Sequence, residues 1–379
     1  MEEQRENAGR FPLQKLPWLV TAQIIRSMET WEQIRLCLTS NKMEIITRSV
    51  KLRPMHYECY FYETKLLFAS ASKPSNTYFF GHYQPGEPRE TLITDEEMSK
   101  WMGPTDGIDL EKTIRVFDRV ISIIPSNFIS VVLYPPDISI TTLQNVFSHP
   151  VIKHCGKIFI DGRGITTTSE FLDYVLNTAS RLRHLTLLNT NPPYGYYHEK
   201  MFRIEKFECT SSEWISIETL LRMKHFGPFN MGKTRLSYAD LNRFLKYWVH
   251  SEVDMFHNFI YIEMEDDIPE DVLFDGIVRL KSNYFRTISY FIKADSKQQQ
   301  RYRSILNIWY DPPKLKLTAW SPDQHWQNRA GEADSFQGEY AALRVVERRK
   351  ELEKRVVTRY GNIKLKIREL NEQLEQLQE

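Results

Sequence analysis

Gly227-Pro228-Phe229-Asn230-Met231-Gly232-Lys233-Thr234 satisfies the phosphate-loop pattern G-x-x-x-x-G-K-[ST]. In that loop glycine-rich backbone turns its N–H groups onto phosphates and the lysine reaches them. Phe259 to Glu263 could stand as the later apolar strand ending in an acid. The chemistry also needs a helix that starts at the lysine, so that its positive end faces the anion. Here the strand expected before the loop, Met223 to Phe226, is short and holds Lys224 and His225, and the helix signal begins only near Ser237. Pro228 removes one N–H from the cradle. A nucleotide-binding protein using 227–234 is therefore the weakest of the readings.

Other chemistry-bearing side chains do not assemble. His154-Cys155 and Cys209 lack metal-ligand spacing, and a lone His or Cys at a strand edge is usually structural. Glu263, Glu265, Asp266 and Asp267 read as a solvated turn before a helix, where carboxylates favour the positive end of the dipole. Asp161-Gly162-Arg163-Gly164 is too short for a dinucleotide fingerprint. No Ser/His/Asp or Cys/His set can be put together. The expectation is a non-catalytic protein with no metal site and no cofactor.

Composition narrows the partners. The 379 residues are 41% hydrophobic and 13% aromatic, enough for a sizeable core in two or three modules. Fifty basic against 49 acidic residues leave a net charge of +1, so no global field recruits nucleic acid or an anionic membrane. The four cysteines, Cys37, Cys59, Cys155 and Cys209, show no paired spacing, and the start MEEQRENAGR lacks the apolar run of a secretory signal. No segment has the length of a membrane span. An intracellular, reducing setting, cytoplasmic or nuclear, is expected.

With chemistry set aside, the elements of residues 11–52 stand out. After Leu16-Pro17, apolar residues at Leu19, Val20, Ile24, Ile25 and Met28 share one side of a helix with proline in its first turn. Thr30 offers an N-cap with Gln33 in capping-box position, followed by the apolar patch Ile34, Leu36, Cys37 and Leu38. Met43, Ile45, Ile46 and Val50 suggest a third short helix. Three short helices make too small a core to stand alone, so a partner or the domain behind them is needed.

Leu16-Pro17, the Ile24-Ile25-Met28 cluster and the run Ile34 to Ser40 resemble an F-box, the module that docks substrate receptors onto the adaptor subunit of SCF-type cullin-RING ubiquitin ligases. The likeness is to the divergent nematode branch, since the tryptophan that many F-boxes carry near their end is absent from Met43 to Val50. A second stretch, Leu236 to Trp248 followed by Phe259-Ile260-Tyr261-Ile262, resembles the type-2 F-box-associated domain of nematode F-box proteins. Together the likeness spans about residues 11–320. It implies an adaptor-binding set of Leu16, Pro17, Leu19, Ile24, Ile25, Met28, Ile34, Leu36 and Leu38, with the adaptor, and cullin through it, as partners. It also implies an unidentified target protein held by the second domain. The plain alternative is a protein-interaction scaffold that no longer recruits a ligase.

Residues 1–10 read as disordered, and 53–125 as a β-hairpin around Pro74-Ser75-Asn76 with a connecting segment carrying a short helix near Met98 to Trp101. Across 126–320 an apolar triplet recurs at Phe128/Val131/Leu133, Cys155/Ile158/Ile160, Leu182/Leu185/Leu187, Ile204/Phe207/Cys209, Phe256/Phe259/Tyr261 and Phe285/Ile288/Tyr290. A degenerate copy falls near Met223/Phe226. Most spacings fall within the period of about 20 to 29 residues of leucine-rich repeats. Helical stretches lie between: TSEFLDYVLNTA, SEWISIETLLRMK, SYADLNRFLKYWV and IPEDVLFDGIVRLK. Strand, helix, then parallel strand requires a crossover, so the expected fold is an α/β, irregular leucine-rich-repeat-like solenoid behind the three helices. The alternating positions give a target-binding face of Tyr134, Phe159, Asp161, Thr186, Glu208, Ile260 and Ile262, with apolar neighbours such as Val132, Leu188 and Phe291. Three antiparallel strands at 288–293, 304–310 and 315–320 close the domain.

Residues 321–338 read as a polar linker. In 339–379, Val356, Tyr360, Ile363, Ile367, Leu370, Leu374 and Leu377 alternate steps of four and three, a heptad seam interrupted near Gly361. A homodimeric coiled coil and a single amphipathic helix folded back on the domain are the two readings.

Overall fold

Helical spacing near the start of the chain gives helices where it occurs. In the computed structural model, which describes residues 13–62, 65–71, 77–80, 109–222, 227–264, 267–284, 287–295, 301–327 and 333–376, these are α1 (Trp18–Ser27), α2 (Thr30–Thr39) and α3 (Asn41–Ser49). Ala22, Ile25, Ile34, Cys37 and Met43 point inward and are buried. Each large side chain so buried stabilises by roughly 1.5–3 kcal/mol. Ser40 caps α3, accepting from Met43 N at 3.2 Å. The cap of α2 is one residue earlier than expected: Glu29 N donates to Glu32 Oε2 at 2.8 Å. Gln33 turns inward instead and its Nε2 donates to Ile25 O (2.9 Å) and Met28 O (3.1 Å), tying α2 to the end of α1.

The chain divides into two compact units, Met1–Pro192 and Pro193–Glu379. The first holds these helices, the strands β1 (Met55–Tyr62), β2 (Lys65–Ala71), β3 (Thr77–Phe80), β4 (Ser126–Leu133), β5 (Lys157–Asp161) and β6 (His184–Leu188), and helix α4 (Asp109–Ile123). Further helices are α5 (Ile140–Ser148), α6 (Pro150–Lys153) and α7 (Ser169–Thr178). Its strands lie in the order β3-β2-β1-β4-β5-β6, parallel from β1 through β4 and β5 to β6 and antiparallel from β1 to β3. The long apolar run expected as one hairpin arm is two paired strands, β1 and β2; the Pro74-Ser75-Asn76 turn and the helix near Met98 lie outside the described residues.

Alternation decides which face is covered. Tyr57, Cys59, Phe61, Val131, Leu133, Ile158, Ile160, Leu185 and Leu187 are buried, and Tyr57 meets α4 through a T-shaped contact with Phe117 (5.7 Å) and a hydrogen bond to Ile124 O (2.9 Å). The N-terminal helices join this unit through a charge clamp. Buried Glu44 on α3 accepts from Arg119 Nε of α4 at 3.1 and 3.0 Å and from Arg48 Nη2 at 2.7 Å. Thr30 Oγ1 also donates to Met55 Sδ at 3.2 Å.

In the second unit β7 (Lys206–Cys209), β8 (Phe229–Lys233) and β9 (Phe259–Glu263) are parallel neighbours. Beyond β9 follow β13 (Lys314–Trp320), β12 (Ile305–Asp311), β11 (Thr287–Lys293) and β10 (Arg279–Tyr284), all antiparallel. The helices are α8 (Ile217–Arg222), α9 (Tyr238–His250), α10 (Glu270–Leu273) and α11 (Gln337–Gln376). Ser237 starts α9 through a reciprocal cap: its Oγ accepts from Asp240 N (3.1 Å) and its N donates to Asp240 Oδ2 (2.9 Å). The helix expected over IPEDVLFDGIVRLK is only α10. Gly276, at φ +72, turns the chain out of helix and the same stretch continues as β10. The polar segment 321–338 holds a short antiparallel pair, β14 (Trp326–Gln327) with β15 (Ala333–Asp334), so it is not a plain linker.

Glu270 at the start of α10 gathers three donors: Lys281 Nζ (2.6 Å), Tyr290 Oη (2.8 Å) and Arg279 Nη2 (2.9 Å). Hydrogen bonds from Lys281 first, then Tyr290 and Arg279, hold its carboxyl down at about 2. A carboxyl whose folded value lies below the unfolded one contributes stability that is complete above about pH 4.5 and lost as pH falls toward about 2. Glu270→Gln should therefore lower the melting temperature at neutral pH, with the gap to the parent closing across that window. A gap constant down to about pH 2 would contradict the assignment.

Candidate protein-interaction surfaces

The phosphate-loop match is a strand. Residues 229–233 are β8, and their backbone is used by neighbours: Lys233 O accepts from Ser212 N at 2.6 Å. The two glycines are needed for close approach, because a Cβ on Gly227 would lie 1.8 Å from Glu205 O and one on Gly232, at φ +56, 2.3 Å from Thr210 O. Phe229 and Asn230 pair with strands on both sides, and beyond them Gly232 N donates to Asn230 Oδ1 (3.3 Å) and Lys233 N to Thr210 O (3.4 Å), so these groups are taken up within the sheet rather than turned onto a phosphate. Residues 223–226 lie outside the described residues.

Glu265 and Asp266 lie outside the described residues; His154, Asp161 and Asp267 have local partners. His154 Nδ1 is 2.7 Å from Ser180 Oγ, Asp161 Oδ1 accepts from Arg163 N at 3.0 Å, and Tyr310 Oη donates to Asp267 Oδ1 at 3.1 Å. Among the described residues no three His, Cys, Asp or Glu side chains gather as metal ligands. All four cysteines are buried. Burial pushes the Cys37 thiol up to about 11 and Cys155 to about 12, and raises Cys59 and Cys209 well above the ordinary thiol value as well. Since the thiolate is the nucleophile, a chromogenic disulfide reagent should find essentially no reactive thiol in the native chain and all four after denaturation. One fast native thiol would contradict this.

Besides the exposed part of α11, two apolar surfaces stand out among the described residues. The first is the opening of α1, where Trp18 (48% exposed), Leu19 (80%) and Val20 (44%) stand in sequence, with Ile45 of α3 also out (69%). Pro17 starts α1 and sets these three side chains on its first turn, where Val20 N and Thr21 N both donate to Pro17 O (3.0 Å each). Of the residues expected to bind an adaptor, Pro17 and Leu19 are exposed, and Leu16, Ile24, Met28, Leu36 and Leu38 are partly so. Ile25 and Ile34 are not available: both are fully buried between the helices, because helical spacing carries them to the inner side. Trp18 and Ile45, outside the expected set, take their place at the surface.

The second surface is the sheet face left open in the second unit. Ile260 and Ile262, expected on a binding face, are buried, and Phe259 and Tyr261 are the outward pair. The triplet at Phe256/Phe259/Tyr261 reads the strand one residue out of step, which exchanges its faces. Register confirms the inner row, since Ile260 sits opposite Phe229 of β8 and Leu317 of β13. On the outer side Tyr261, Lys316, Trp309 and Ser289 face one another across four strands. Lys316 Nζ lies 4.8 Å from the Phe259 ring centre and 5.4 Å from that of Tyr261. With Phe291, Asn307, Thr318, Trp320 and Phe336 they line an open groove of about 250 Å³. Phe336 closes one end, 5.3 Å from Phe291 and 5.4 Å from Trp320.

The other expected face residues are divided. In the first unit Phe159 is half-buried with Lys157 Nζ 4.1 Å over its ring, beside Thr186, which is buried between its neighbours rather than open. Tyr134 lies under the Arg163 guanidinium (4.5 Å), close to Asp161 along the chain turn, and Arg163 also meets Asp137 at 2.8 Å. Glu208, in the second unit, pairs with Lys206 at 2.8 Å. Comparison of the chain with family models, curated proteins and solved structures finds no match. No helix among the described residues is long and apolar enough to cross a membrane.

Proposed function

We propose that this chain is the substrate-recognition subunit of an SCF-type cullin-RING ubiquitin ligase: a non-catalytic receptor that docks the adaptor through its N-terminal helices and holds a target protein on its sheet domain. The observation that supports the reading best is the consecutive exposed set Trp18-Leu19-Val20 behind Pro17. Helices that bury Ile25 and Ile34 among themselves had the means to bury these too, and a patch of large apolar side chains left in water marks a partner site. The likeness of the Leu-Pro-led stretch to an F-box names the partner. The irregular leucine-rich-repeat-like α/β arrangement then serves as the frame for target binding, with the Tyr261-Trp309-Lys316 groove as its aromatic centre. Catalysis needs nothing from the receptor beyond tethering, which converts the encounter of ubiquitin carrier and target into an intramolecular one.

The test is capture from cells under native conditions. Tagged chain should retain the adaptor and cullin in near-equal amounts, and the target should accumulate when the chain is removed. Capture of partners by the sheet domain with neither adaptor nor cullin present would replace this reading with that of a scaffold.

A further inference from the structure

Helix α11 is two things in one element. Its first turns dock on the sheet: Leu343 is fully buried with Phe291 and Ile305, and Glu347 meets Lys293 Nζ at 2.9 Å. From residue 351 to 366 every side chain is exposed, including Val356, Tyr360 and Ile363 of the heptad seam. At about 100° per residue, Ile363 lies about 200° around the helix from Leu343, so the seam is on the side away from the docked strip. The surface that holds Leu343 cannot also cover it. Helix α11 runs unbroken through Gly361, next to the seam residue Tyr360.

What covers such a seam is decided by the residues that flank it. With Tyr360 and Ile367 at a and Val356, Ile363 and Leu370 at d, the seam begins at Val356, since Arg349 and Glu353 occupy the preceding d and a; its flanking e and g positions are Val357, Arg359, Lys364, Lys366, Asn371, Gln373 and Gln378. Three are basic and none is acidic. A parallel second copy would set Arg359 against Lys364 of its mate, and an antiparallel copy in any register has no carboxylate to offer at these positions. Like charges at e and g set partner choice by repulsion.

We infer that the exposed half of α11 is a docking helix for a different protein, one that presents an amphipathic helix whose apolar seam is bordered by carboxylates. The test uses the full chain and two synthetic four-heptad peptides with leucine at a and d, one carrying Glu and the other Lys at e and g, titrated by fluorescence anisotropy. The acidic peptide should bind on the order of tenfold or more tighter than the basic one, lose affinity as salt rises, and fail on Ile363→Asp. The double variant Lys364→Glu, Lys366→Glu, changed only at exposed positions, should reverse the preference. Equal binding of both peptides, or none, would overturn the proposal. So would sedimentation showing the chain alone as a dimer that Ile363→Asp dissociates, since the second copy would then be the occupant.

Discussion

If the proposed function holds, Leu19→Asp should abolish adaptor binding and leave the fold intact. Leu19 is 80% exposed on the first turn of α1, so the folded chain loses nothing when the side chain changes. In a complex the leucine gains roughly 1.5–3 kcal/mol by burial, and a carboxylate in the same place adds a desolvation penalty. Together these weaken binding by at least about a hundredfold. Ile34→Asp gives the opposite pattern. Ile34 has no exposed surface, and an unpaired charge among Ile25, Cys37 and Met43 costs several kcal/mol of stability, so the helices themselves should unfold. Circular dichroism and an adaptor titration on both variants separate the two. Unchanged affinity in Leu19→Asp would remove this face from the interface.

Leu343→Ala frees the long helix from the sheet. Leu343 fills the contact between α11 and the strands that carry Phe291 and Ile305, flanked by Tyr340, Phe336 and Trp320. A leucine emptied from such a site costs about 2–5 kcal/mol. The docked turns are also held by the Lys293–Glu347 pair (2.9 Å), whose lysine is buried and whose glutamate is partly solvated. Amide exchange over residues 339–347 should accelerate by about 30-fold or more, while α9 and β9 keep their protection. Because Phe336 leads into the same helix, the aromatic groove should loosen at that end. Unaltered exchange would mean that α11 is held by something other than this contact.

Some of this was legible in the sequence for definite reasons. The first three helices and α9 follow from apolar residues at helical spacing, with a proline opening α1 and capping side chains opening α2, α3 and α9, and the last three long strands from alternation between turn residues. Helix α4 had a readable signal too, in Val116, Phe117, Val120, Ile123 and Ile124, but it follows a polar stretch that draws attention away. Other features were not legible. In Phe259-Ile260-Tyr261-Ile262 every residue is apolar, so alternation cannot say which pair is inward. Only the pairing with β8 and β13 decides, and that is a property of distant segments. The groove is hidden for the same reason: Tyr261, Trp309, Lys316 and Phe336 are brought together by strand register and by the lead into α11. Within the N-terminal helices, a motif likeness marks residues without separating those that support the face from those on it. Ile25 and Ile34 are buried beneath the surface; Trp18, Leu19 and Val20 stand exposed on the first turn of α1.

The proposed function stands or falls with adaptor docking at the apolar turn Pro17 to Val20. Size exclusion of the purified full chain mixed with purified adaptor at about ten micromolar tests it most directly. One earlier-eluting peak containing both in equal amounts, lost with Leu19→Asp, is the expected result. Two peaks at the positions of the separate proteins, from a chain shown to be folded, would contradict it.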